Sequence, residues 1–291
     1  MKLTQHFSRN KPAMSFEVFP PKTISSMDSV TRATQSMAQL HPAFMSVTYG
    51  AGGGTSRYTL EIARCIEKDY GVPTLAHLTC VSSTRETISQ RIADLKAAGL
   101  ENIMALRGDL TPERMDSDPS TWDYRHATDL IRELASGGDF CIGGACYPEK
   151  HPESATQAED IDHLKEKVDA GCSFLTTQMF FDNTLLYRFL DTIRAAGIGV
   201  PVVAGIMPIT AASQIQRAIA LSGSYVPAEL LALADKYGND PAAMKQAGIA
   251  YAIDQVTDLY AKGVYNVHIY SMNKPEVAQQ IQSSVSGILK P

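Results

Sequence analysis

The run "MSFEVFP" (Met14–Pro20) has the apolar density of a β-strand, ends at the proline pair Pro20–Pro21, and holds one acid, Glu17, in its interior. Alternation along a strand puts Ser15, Glu17 and Phe19 on one face and Met14, Phe16 and Val18 on the other. The second face is the better surface for helix packing, so Glu17 is expected to point away from the helices.

Seven further runs repeat this form: "FMSVTYG" (44–50), "TLAHLTC" (74–80), "NIMALRGD" (102–109), "CIGGACYP" (141–148), "FLTTQMFF" (174–181), "VPVVAGIMP" (200–208) and "VHIYSM" (267–272). Between them lie segments with helical spacing of apolar residues, such as "TSRYTLEIARCIEKDY" (55–70) and "ETISQRIADLKAAG" (86–99). In the latter, Ile88, Ile92 and Leu95 make a stripe and Gly99 a C-terminal stop. Strict alternation of strand and helix demands parallel strands, and eight such units close a (β/α)8 barrel. The longer gap before the last strand predicts a helical insertion over residues 226–262, in "PAELLALADKYG" and "PAAMKQAGIAYAIDQVTDLYAKG". No low-complexity linker divides the chain, so one catalytic domain over residues 1–291 is expected.

A chain of 291 residues, 44% hydrophobic, can bury the core such a barrel needs. The net charge of −5 and the lack of any long Lys/Arg run give no footprint for nucleic acid or an anionic membrane. A small-molecule partner is expected instead. Neither a secretory leader nor an apolar membrane span can be read, which predicts a cytoplasmic protein. The five cysteines are scattered, as reduced thiols would be; Cys141 and Cys146 lack C-x-x-C spacing and read as core residues, not zinc ligands.

In a barrel of this kind the chemistry sits at the C-terminal ends of the strands. Polar residues collect there: Glu17, Thr48 and Tyr49, His77 and Thr79, Arg107 and Asp109, Tyr147 and Glu149, Gln178, then His268 and Tyr270. A dehydrated Glu17 would hold its proton near neutral pH and could serve as a general acid, or it could pair with an Arg or Lys lining the barrel. Asp109 reads either as a site residue or as the cap of the following helix, and His77 as a ligand contact or a satisfied core histidine. Metal ligands at paired spacing are missing. The glycine-rich "YGAGGGTSR" (49–57) has Thr55 where a dinucleotide-binding turn needs its third glycine, so it reads as an active-site turn.

Eight stretches together, "SFEVFPPK", "SVTYGAGG", "AHLTC", "ALRGDL", "YPEKHPES", "LKEKVDAGCSFLTTQMFFD", "GIMPIT" and "NVHIYSMN", resemble in order and spacing the motifs of the methylenetetrahydrofolate reductases. These are flavoproteins on a (β/α)8 barrel, and the length resembles the bacterial form, a catalytic barrel alone. The resemblance implies reduction of 5,10-methylenetetrahydrofolate to 5-methyltetrahydrofolate by NADH or NADPH through bound FAD, in ping-pong order, supplying methyl groups for methionine synthesis. It implies Glu17 as the acid that protonates a folate nitrogen, and Asp109 as the charge between flavin and pterin. Gln178, Tyr270 and Lys274 become substrate contacts; Thr48, His77, Arg107, Gly108, Asp109, Tyr147, His151, Asp160 and Lys167 become the flavin-contacting set. A homo-oligomer is also expected.

The chain departs from the better-known bacterial pattern at several places. Ala212 stands where that pattern has a mobile aromatic, and Lys274 where an arginine meets the folate tail. His163 and Glu166 replace usual flavin contacts, and Cys172 replaces an alanine as a packing variant. Two rival readings differ in class. One keeps the folate and the barrel without flavin, as a reductase or methyl-transfer component; the other is a non-catalytic folate- or flavin-binding subunit.

Overall fold

The structure of the chain, a computed structural model, describes residues 1–7, 11–21, 23, 26–49, 56–110 and 115–290. Eight strands follow one another: β1 (Ala13–Val18), β2 (Met45–Val47), β3 (Thr74–Thr79), β4 (Asn102–Leu106), β5 (Cys141–Cys146), β6 (Phe174–Thr177), β7 (Val202–Ile206) and β8 (Asn266–Ile269). Each pairs in parallel with the next, and β8 pairs with β1, closing the expected (β/α)8 barrel. The β1 register sets Glu17 opposite Ser46 and Ser15 opposite His268.

The two faces of β1 separate as alternation predicts. Met14, Phe16 and Val18 are at most 3% exposed and share one core with Val30, Ala33 and Met37 of the helix Met27–Ala38. Each such side chain contributes about 1.5–3 kcal/mol on burial. The helix Arg85–Ala97 begins where the Thr84 side chain accepts from Thr87 N and ends before Gly99, whose φ of 73° suits a glycine. Its Ile88, Ile92 and Leu95 are buried in the same shell.

Inside the barrel the lower end is apolar. Leu3 and Phe7, flanking and ending the short helix Thr4–Phe7, pack with Phe44, Leu75, Met104, Phe174 and Val203. Leu3 N donates to Asn102 Oδ1 at the start of β4, so this plug closes the N-terminal ends of the strands. The polar interior therefore opens only toward the C-terminal ends.

Between β7 and β8 run the helices Ser213–Ser222, Ala228–Tyr237 and Pro241–Ala261; the last two are the expected insertion. They bury Ile215, Val226, Leu230 and Met244 against Met179, Phe181 and Ile209, residues that follow β6 and β7. The Asp240 side chain accepts from Ala242 N and Ala243 N and starts the long helix.

Every strand ends earlier than its apolar run suggests. The ladder stops at Val18, Val47, Leu106 and Thr177, for example, where the runs continue to residues 20, 50, 109 and 181. Prolines 20 and 21 have no N–H to give, and Gly108 turns to φ 86°. The remaining residues of each run leave the sheet and form the barrel mouth. The glycine-rich turn falls largely at 50–55, outside the described residues. All five cysteines are free thiols, Cys65 half-buried and the others buried. Among the described residues no helix is long and apolar enough to cross a membrane, and no cluster of His, Cys, Asp or Glu could hold a metal.

Candidate active site

Glu17 rises from β1 into the barrel at 6% exposure. Burial pushes its carboxyl up to about 8, against a smaller opposing effect of its hydrogen bond with Ser46. Across the interior His77 Nε2 lies 3.9 Å from Glu17 Oε2, and burial pushes that imidazole down to about 4. Near neutral pH both groups are uncharged, so the contact is not an ion pair, and it is too long for a hydrogen bond. Among the described residues no Arg or Lys lies within ion-pair distance of Glu17, which removes the structural reading of this carboxylate.

His268, 2% exposed, occupies the centre of the same layer. Ser15 Oγ is 2.7 Å from its Nδ1 and Ser46 Oγ 2.9 Å from its Nε2. The Phe44 ring stacks on the imidazole at 5.2 Å and 6°, and the Tyr270 ring meets it edge-on at 5.4 Å. Tyr270 then spans the barrel top, its hydroxyl donating to Thr177 O at 2.7 Å. That path requires Gly205, because a Cβ there would stand 2.4 Å from the Tyr270 oxygen and 2.6 Å from Thr177 O.

A second cluster gathers beside the ends of β4 and β5. Arg107 holds Glu153 in a bidentate pair, both contacts 2.6 Å. His151 lies edge-on to Tyr147 at 4.7 Å and accepts from Glu153 N at Nδ1, which leaves its proton on Nε2. Asp160 is used internally: its two oxygens accept from His151 N and Ser154 Oγ and shape this loop. Burial lowers the Lys167 pKa, and among the described residues its ammonium donates to Ala145 O at 3.0 Å alone. Cys172 is 3% exposed with its thiol on Phe174 O, a packing position as expected.

The other expected site residues follow the strand ends around the rim. Thr48 follows β2, its N–H on Val18 O. Gly108 keeps positive φ with Thr79 so close that a Cβ would fall 2.9 Å from the Thr79 Cβ, and the exposed Asp109 follows it. Gln178 Oε1 accepts from Met179 N, leaving its amide N–H groups as donors. Lys274 donates to Thr210 Oγ1 at 2.9 Å, joining the loops after β7 and β8. Gln214 Oε1 accepts from Thr210 N and Ala211 N, so the loop before Ala212 is held from both sides.

A family model described as methylenetetrahydrofolate reductase matches residues 2–286. The chain belongs to the methylenetetrahydrofolate reductase family. Among its relatives is the 5,10-methylenetetrahydrofolate reductase of Pectobacterium carotovorum subsp. carotovorum, 36% identical over 268 residues, covering 92% of this chain and 88% of the relative. The methylenetetrahydrofolate reductase (NADH) 1 of Arabidopsis thaliana is 32% identical over 99% of the chain, which spans about half of that longer protein (49%). Of solved structures, an uncharacterised Clostridium thermocellum protein that binds two copies of 5-methyl-5,6,7,8-tetrahydrofolic acid superposes at TM-score 0.62. It is 14% identical, with 97% of both chains covered, and supports the fold alone.

For a methylenetetrahydrofolate reductase the two clusters offer different chemistry: an uncharged acid inside the barrel, and a cationic group beside the mouth. Ser46 and Gly205 were not singled out by the sequence reading. Ser46 is an ordinary strand serine until the register sets it beside Glu17 and His268, and Gly205 has meaning only through the tyrosine that crosses it.

Proposed function

We propose that this chain, as one cytoplasmic catalytic unit, reduces 5,10-methylenetetrahydrofolate to 5-methyltetrahydrofolate with electrons from a reduced nicotinamide carried by bound FAD. The observation that carries this reading is Glu17, a buried carboxyl that keeps its proton at neutral pH at the open end of the barrel. A pure binding module has no need of such a group. Glu17 would give its proton to a folate nitrogen, so that the five-membered ring opens to an iminium ion. Asp109, exposed at the rim, would stabilise that cation, and the free amide donors of Gln178 would orient the pterin. Tyr270 would wall the pocket and Lys274 would meet the acidic tail of the folate.

The residues fit a dinucleotide flavin. Lys167 is a half-buried cation with donors to spare, and His151 presents an Nε2 proton; both suit a diphosphate. Thr176 Oγ1, in the interior below Gln178, has no hydrogen-bond partner among the described residues and could bond a ligand or water. Thr48, His77, Arg107, Gly108, Asp109, Tyr147 and Asp160 would line the rest of the flavin site. When bound, flavin supplies a two-electron carrier that takes hydride from the nicotinamide and passes it to the one-carbon unit. One site serving nicotinamide and folate in turn supports ping-pong order, and the name of the Arabidopsis relative supports NADH as the donor.

The bidentate hold of Glu153 on Arg107 favours one rival, a flavin-free reductase, because it occupies a cation the flavin would use. The visible absorption spectrum of the purified protein separates them. The expected result is a flavin spectrum that bleaches anaerobically with NADH and returns with methylenetetrahydrofolate. A colourless protein that flavin does not reconstitute overturns the assignment of FAD.

A further inference from the structure

The loop after β8 holds the end of β1 through one side chain. Asn273 Oδ1 accepts from Phe19 N at 2.9 Å, and Asn273 Nδ2 donates to Phe19 O at 2.8 Å. The carboxamide gives Phe19 both bonds that a neighbouring strand would give, beyond Phe16, the last β1 residue paired with β8. Met272 and Asn273 each have φ of 56°, uncommon for residues other than glycine, and this reversal brings the amide back to β1.

The side on which Phe19 is bonded fixes where its ring points. Even-numbered residues of β1 bond toward β2: Phe16 N donates to Phe44 O, and Val18 O accepts from Thr48 N. The odd-numbered Ala13 bonds toward β8, its N–H on Tyr265 O. The even set, Met14, Phe16 and Val18, packs in the outer core, so the odd set, with Glu17, faces the interior. Phe19 is bonded on the β8 side and keeps the odd parity after the ladder has ended. Its ring therefore stands on the Glu17 face, one step nearer the open end. Pro20 helps to keep it there, because a residue before proline is restricted to extended backbone. The side chain is half-buried and is part of none of the apolar clusters among the described residues. Phe19 is thus fixed at its backbone while its ring is not used by the core.

We infer that Phe19 is a further substrate-binding residue, an apolar face against which the pterin ring of the folate lies above Glu17, and that Asn273 is the residue that positions it. The inference rests on the folate reading of this site. A flat heteroaromatic ring beside a protonated carboxyl needs a wall that excludes water and offers no competing hydrogen bond, and a phenyl ring meets both conditions. Lys274, next in the chain, donates to Thr210 Oγ1, so one loop sets both the wall for the ring and the cation proposed for the acidic tail.

Calorimetric titration of the purified protein with 5-methyltetrahydrofolate tests this. Phe19→Leu is expected to weaken binding about 3–10-fold, the worth of an aromatic contact beyond its area. Asn273→Ala should weaken it by a similar factor, and the double variant by no more than the larger single effect, because Asn273 acts through Phe19. A merely structural role for Asn273 would give factors that multiply, as independent sites do, and that result overturns the positioning role. Unchanged affinity in Phe19→Leu overturns the inference as a whole. Should Asn273→Ala not fold, Asn273→Asp takes its place, since it keeps the acceptor for Phe19 N and loses the donor to Phe19 O. A wild type that does not bind 5-methyltetrahydrofolate sinks the folate reading and the inference with it, whereas normal wild-type binding with no effect of Phe19→Leu sinks the inference alone.

Discussion

Glu17 and His77 face each other inside the barrel mouth with Oε2 and Nε2 3.9 Å apart, as a neutral acid beside a neutral imidazole. Burial drives both away from charge, in opposite senses, because an isolated ion in this interior would lose its hydration without a countercharge. The site therefore stores a proton without storing a charge.

Glu17→Gln removes the proton donor and keeps the shape. Folate reduction is expected to fall about 10²–10⁴-fold while flavin reduction by nicotinamide changes little. Stopped-flow absorbance of the two half-reactions checks this, and equal loss in both would end the assigned role. In the wild type the folate step should fall about tenfold per pH unit above 8, the point to which burial raises the carboxyl.

The same carboxyl costs stability. Its folded value of about 8 lies above the ordinary 4.5, so its contribution is most favourable below pH 4.5 and is lost as pH rises to about 8. The difference amounts to about 5 kcal/mol. Glu17→Gln should therefore be more stable than wild type at pH 8 and nearly equal at pH 4.5, by chemical denaturation at both. A constant difference across that range would show that Glu17 does not titrate as described.

Acid acts on the histidines with the opposite sign. His77 and His268 are held below the ordinary 6.5, so their stability is fully present above 6.5 and is lost as pH falls through about 4 and 3. The gain from Glu17 ends near 4.5, and unfolding should steepen below it. His77→Gln is expected to soften that acid limb in melting curves; an unchanged limb would place the weakness elsewhere.

Lys167→Met should separate stability from cofactor binding. It replaces a half-buried, partly desolvated cation bonded to the Ala145 carbonyl by an apolar chain of similar length, so the melting temperature of the flavin-free protein is expected to rise. Flavin affinity should fall about 10–100-fold, the worth of one charged hydrogen bond. Flavin titration by fluorescence checks it; unchanged affinity would remove Lys167 from the site.

Gly205→Ala sets a methyl against the Tyr270 oxygen and the Thr177 carbonyl. A cost of about 1–3 kcal/mol is expected, and adding Tyr270→Phe should not recover it all, because the backbone carbonyl remains. Thermal melts of both variants check this; full recovery would show that only the hydroxyl clashes.

The barrel was legible because its signal is repetitive: eight apolar runs alternating with helical stripes leave few topologies, and the two faces of "MSFEVF" already separate Glu17 from the helix-packing residues. The strand ends were less legible, since "LRGD" and "TQMFF" continue the strand pattern past Leu106 and Thr177, where the ladder stops. Motif resemblance named Glu17, Asp109 and Gln178, yet it did not say that Asp160 would serve its own loop or that Glu153 would clasp Arg107. What the sequence determined by itself is which residues line each strand face, because alternation is a local property of the backbone. What tertiary structure alone decided is the burial that keeps the Glu17 proton and the hydrogen bonds that Ser15 and Ser46 make with His268 beneath it. Those depend on water being excluded and on a β1 residue meeting partners from β2 and β8, contacts set by barrel closure between residues as far apart as Ser15 and His268.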